Sequence, residues 1–256
     1  MKRLLHVFEH EFNLNYRTFL ISAVGVAGLL LLFSMGRWLE YPRPIDLWQA
    51  FPPVMVLAGA VVTSGIFGEL GTKERRMEYL LRPADAWEKV LAKLVLTSVG
   101  YWLVMVVAFV VASGLGALLY VVLTNGSDLT GSFSNGRWWV IVLDTLHGYL
   151  VVHAVFFFGS VYFRRHALGH TLLAIVGWAT SYAIIAVVAV RTIFHPYFAG
   201  IRRLSDSAVF SFQAEVEDLF TRRFLDHAII WQIVVEILLI LFFWGLSWLR
   251  LRETEA

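Results

Sequence analysis

Leu94–Leu123 reads LVLTSVGYWLVMVVAFVVASGLGALLYVVL, with no charged residue and no proline. A helix rises about 1.5 Å per residue, so about 20 apolar residues cross a hydrocarbon layer of ~30 Å. In lipid every backbone N–H and C=O must find its partner within the chain, and a helix provides that. Five further runs share this character: Thr18–Gly36, Ala50–Gly68, Trp138–Phe163, Thr171–Val190 and Ala228–Leu249. Only Asp144 and Glu236 place a carboxylate inside any of them. The sequence therefore predicts an all-α polytopic membrane protein with six transmembrane helices.

Composition agrees. Hydrophobic residues make up 59% of the 256 positions and charged residues 16%, against about 25% charged in an average soluble domain. The two longer connections, 69–93 and 191–227, are too short for a soluble domain, so residues 1–256 read as one membrane domain. There is no cysteine, which excludes disulfides, thiolate metal sites and cysteine nucleophiles. A polar-to-amphipathic segment precedes the first full-length span, unlike a cleaved signal.

Lys and Arg favour the cytoplasmic side of short loops. With the N-terminus inside, the inner segments hold 13 of the 21 Lys and Arg residues. Both termini then face the cytoplasm of a plasma membrane, the inner membrane in a bacterium. Trp38, Trp48, Trp87, Trp102, Trp138, Trp139, Trp231, Trp244 and Trp248 lie near span ends, where their rings suit the headgroup layer.

Residues 1–17 read as an interfacial helix, with Leu4, Leu5, Phe8 and Phe12 at helical spacing. It serves either as a surface anchor or as a lever toward a partner. The segment 69–93 is denser in charge. Thr72 is placed to cap a short helix running to Arg82, with Glu74 near its start. Pro83 disfavours helical geometry at Arg82 and breaks the run. A second helix starts near Asp85 and leads into the third span. Met77, Leu80 and Leu81 give the short helix an apolar edge, as a docking surface requires.

These residues resemble the permease subunits of type-2 ABC transporters. Glu11 and Arg17 match that family's N-terminal helix. Glu69, Gly71-Thr72, Leu80-Leu81, Pro83 and Lys93 match its segment between the second and third spans; the charge-rich Lys73–Glu78 departs from it. The resemblance implies six spans and a coupling helix near Arg75–Pro83 seated on a cytoplasmic ABC ATPase subunit. It further implies two ATPase copies, which bind ATP and Mg, and a second copy of this permease or a similar one. Glu69, Arg75, Glu78, Tyr79, Leu81, Arg82 and Pro83 are the candidate coupling residues. Glu69 is the one expected to tie the second span to the N-terminal helix or to a basic residue. Arg164, Arg165 and His166 form either a second cytoplasmic contact or a positive tether. The implied function is export of a hydrophobic or amphipathic substrate.

No G-x-x-x-x-G-K-[ST] phosphate loop occurs; Gly131–Arg137 has Arg where Lys belongs. The chain is thus expected to lack enzyme activity, a cofactor and a metal of its own, and to bind membrane lipid but no nucleic acid. Residues 205–226 predict an amphipathic external helix between spans five and six. Gly114, Gly116 and Gly177 offer close helix packing.

Asp144 pairs in register with His147 at i,i+3, and Gln232 with Glu236 at i,i+4. Intramembrane carboxylates are costly and face an interior or an aqueous path. They read either as structural hydrogen bonds or as the relay of an ion-gradient-driven secondary transporter. A non-transporting scaffold within an ABC complex is a third possibility. Membrane di-iron hydroxylases and intramembrane proteases are disfavoured, since neither adjacent His pairs nor H-E-x-x-H occur.

Overall fold

The computed structural model describes residues 2–40, 47–82, 84–124, 138–163, 165–193 and 231–254. All regular structure among them is helical. The α-helices are α1 Lys2–Glu40, α2 Phe51–Gly65, α3 Lys73–Leu81, α4 Ala86–Val95, α5 Tyr101–Thr124, α6 Trp138–Tyr162, α7 Ala167–Ile193 and α8 Trp231–Thr254. Short 3₁₀ turns, Leu47–Ala50 and Gly68–Gly71, flank α2. Among the described residues, six helical stretches are long and apolar enough to cross a membrane, and each overlaps one run seen in the sequence. The protein is a multi-span membrane protein.

Residues 2–17 do not form a separate element. They are the first turns of α1, which runs unbroken into the first span. No glycine or proline lies between Lys2 and Val24, so nothing stops the helix. The external helix expected within 205–226 lies outside the described residues.

Two compact units are present. The larger comprises residues 1–168 with 240–256. There α2 packs chiefly on α6, and α1 on α5. One core cluster joins Phe19, Trp48, Phe51, Met55, Tyr101, Phe109 and Tyr149. Trp48 is wholly buried, its ring 5.1 Å from Trp138 and 5.9 Å from Phe109. It packs the bundle rather than anchoring it in headgroups, as Trp87 and Trp139 remain exposed to do. A second cluster joins Phe67, Leu70, Tyr79, Val90, Phe157 and Leu251 beneath the charged segment. The smaller unit is residues 169–239, of which the described part is most of α7 and the start of α8. Its α7 turns almost entirely exposed apolar side chains outward.

The third span contains a π turn at Leu96–Gly100, between α4 and α5. Tyr101 N–H bonds Leu96 O, five residues back. The donor that an α-helix would send to Thr97 O is thereby diverted, and Tyr149 OH of α6 donates to that carbonyl instead. Gly59 of α2 permits this approach: a Cβ there would overlap the Tyr149 ring. The sequence singled out other glycines. Gly116 is close to Leu31 and Leu47, whereas a Cβ on Gly114 or Gly177 would meet nothing within 4 Å.

Candidate functional site

The charged segment forms an elbow. The chain leaves α2 through the 3₁₀ turn, makes α3, bends at Arg82 and enters α4. Thr72 has the extended backbone of an N-cap, and its carbonyl accepts from Arg76 N–H at 3.0 Å. Its hydroxyl makes no cap bond. Arg76 also clamps the turn, donating from Nε and Nη2 to Leu70 O at 3.2 and 3.0 Å. Arg82 is extended, with φ −61° and ψ 131°, as the residue before a proline should be. Asp85 N–H donates to Glu88 Oε2 at 3.0 Å, and the two residues form a capping box at the start of α4.

Four charged groups close a ring inside this elbow. Arg82 reaches Glu11 at 3.2 Å and Glu69 at 3.1 Å. Lys93 reaches the same two carboxylates at 3.0 and 3.1 Å. Lys93 Nζ also donates to Ile66 O at 2.9 Å, a buried carbonyl at the end of the second span. Two carboxylates and two cations give a neutral ring, which limits the cost of burying it. Beneath it lies the fully buried Tyr79, with Arg82, Lys89 and Lys93 at 5.3, 5.1 and 5.3 Å from the ring centroid. A π-face toward three cations is a favourable arrangement. The ring thus ties α1, the end of α2, the elbow and the third span together.

The sequence places Tyr79 and Arg82 among the partner contacts; the structure turns both inward. Helical period is the reason. Arg76 and Tyr79 share the inner face, while Glu74, Met77, Glu78 and Leu81 fall at i, i+3, i+4 and i+7 on the outer one. Those four are exposed, Leu81 to 83%. Arg75 is also exposed. Glu69 reaches α1 through Arg82 and Lys93, which both bind Glu11. Arg17 stays outside the ring, against Tyr16. Pro83 and Arg164 lie outside the described residues. Arg165 Nε donates to Gly71 O at 3.3 Å, so the 163–168 connection touches the elbow's base. His166 makes that turn at φ 53°, a left-handed value tolerated better by His than by branched residues.

No known protein family, curated protein or solved structure matches this chain. The geometry must carry the functional argument.

Asp144 and His147 lie on an exposed face of α6, away from the seam with α2. Glu236 accepts from Gln232 Nε2 at 2.9 Å, the register expected. The buried polar cluster is elsewhere. Thr97 Oγ1 lies 2.8 Å from Lys93 O and 2.7 Å from His153 Nε2, joining the third span to α6. Thr145, Tyr149, His153 and Phe157 recur every four residues on one face of α6, all buried. This spacing is the signal by which the sequence could have disclosed the cluster.

Proposed function

We propose that the chain is the permease subunit of an ATP-driven transporter of the type-2 ABC kind, with α3 as its coupling helix. One observation supports this most: the outer stripe Glu74–Met77–Glu78–Leu81 is carried on a helix fastened to three spans. A partner pressing on Met77 and Leu81 would move α3, and the Glu11–Arg82–Glu69–Lys93 ring would pass that shift to α1, α2 and the third span. An apolar pair flanked by acids suits an apolar groove with a basic rim on the partner. Under this reading the elbow faces the cytoplasm, both termini lie there, and two ATPase subunits bind two permease copies. The cargo would be hydrophobic or amphipathic, leaving the membrane outward. The ion-gradient reading is weaker, because Asp144 and His147 sit outside the packed seam of α6 where a buried relay would run.

The test is purification of the tagged full chain from its native membrane. A nucleotide-hydrolysing subunit should copurify, and Leu81→Asp or Met77→Asp should release it while the spans stay folded. Absence of any such companion, or its undiminished recovery with both variants, would refute the assignment.

A further inference from the structure

Within the larger unit, α1 and α5 touch at two levels. Near the elbow, Ser22 Oγ and Tyr101 OH share a hydrogen bond of 2.7 Å, and the Phe19 and Tyr101 rings lie 5.6 Å apart. Farther along, Leu31 comes close to Gly116. Between these contacts a furrow of about 400 Å³ runs along the helix pair. Residue size makes it. Ala23, Ala27 and Ala108 form the floor, while Val24, Leu103 and Val107 rise on either side. Ala23 and Ala27 share one face of α1 at i,i+4. On α5 the furrow extends over residues 103–111, about 12 Å along the axis.

The lining restricts what can enter. Every lining residue is Ala, Val or Leu, and no polar atom reaches the furrow. A water needs two or more polar partners and finds none. A polar or charged group would lose its hydrogen bonds there. The furrow lies wholly within the first and third apolar runs, at hydrocarbon depth. A helix of a second copy does not fit it, because close helix contact in lipid depends on small residues at the surface. Here the alanines are recessed: Val24 and Val107 are 69% and 61% exposed, while Ala23 is 5% exposed. The walls are continuous with the exposed apolar surface of both spans, which a bilayer covers.

We propose that this furrow holds an acyl chain of a bilayer lipid. Its volume of about 400 Å³ corresponds to roughly a dozen groups of about 30 Å³, the share of a water and close to that of a methylene. That is most of a lipid chain. A linear, flexible chain fills a narrow slot between branched side chains and supplies the dispersion contacts that the short alanines leave unmade. The headgroup is not selected, because no polar side chain lines the furrow. The inference does not rest on the transporter reading.

The test is native mass spectrometry of the purified full chain in micelles doped equally with dipalmitoyl phosphatidylcholine and dipalmitoyl phosphatidylglycerol. The wild type should keep a lipid-bound peak, with the two lipids at parity. Ala27→Leu and Ala108→Leu fill the furrow from opposite helices, and each should lose most of that peak. They lie on different helices, so misfolding of one leaves the other to decide. Val187→Leu, on the exposed surface of α7, should keep the peak. A wild type without bound lipid, or equal retention in the wild type and the filling variants, would overturn the proposal. So would a headgroup preference that survives filling. A dimer peak that both filling variants abolish would overturn it too, since a second copy would then be the occupant.

Discussion

Lys93 is one residue from an uninterrupted apolar run, yet only 1% of its side chain is exposed. It survives there because two carboxylates and a carbonyl meet it. Replacing it with Met would leave Glu11 buried opposite Arg82 alone. We expect Lys93→Met to destabilise by about 3–5 kcal/mol, the cost of orphaning a buried charge. Lys93→Met with Glu11→Met should cost less than the sum of the singles, measured by denaturant unfolding in detergent. Additive losses would mean the two side chains do not interact. Gly59 is the second sensitive position. Gly59→Ala would push Tyr149 off Thr97 O, at about 1–3 kcal/mol for overpacking. A second small cost would follow from the carbonyl left without its donor. A melting temperature equal to that of wild type would refute the close approach.

At the scale of elements, the π turn reconciles two registers. From Lys93 the buried positions step by four through Thr97, Tyr101, Met105 and Phe109. A regular α-helix drifts about 40° with each such step, because four residues exceed a 3.6-residue turn. One wide turn absorbs part of that drift and keeps Lys93 and Tyr101 on the packed side. A π turn amounts to one inserted residue, so deleting Val99 should restore α geometry and leave the flanks aligned. Deleting Val107, within regular helix, should rotate everything beyond it by about 100°. We expect folded, monodisperse protein from the first deletion and loss of it from the second, read by size-exclusion yield. On α3 the outer stripe is separable from the inner ring. Leu81→Ala should change stability by no more than about 0.5 kcal/mol, since the side chain touches little.

At the scale of the whole molecule, the orientation of the charged elbow is directly testable. The chain has no cysteine, so single cysteines report cleanly. Cysteines at Glu74 and Glu253 should label from one side of sealed vesicles, and one at Trp139 from the other. Labelling of Glu74 and Glu253 from opposite sides would contradict an even number of crossings. Sequence alone determined that this chain is helical and spans a membrane, because lipid imposes length and apolarity on each span locally. It also located the elbow, through Thr72, Pro83 and the charge between them, since capping and the residue before proline are local effects. What it could not assign was which elbow residues face inward. Arg82 looks like a surface residue until Glu11, 71 positions away, arrives with α1, and Tyr79 until Phe157 and Leu251 join its cluster. Trp48, Gly59 and His153 were likewise misplaced or passed over. Their environments are made by helices distant in sequence, and only packing of α2 on α6 and α1 on α5 decides what each side chain meets.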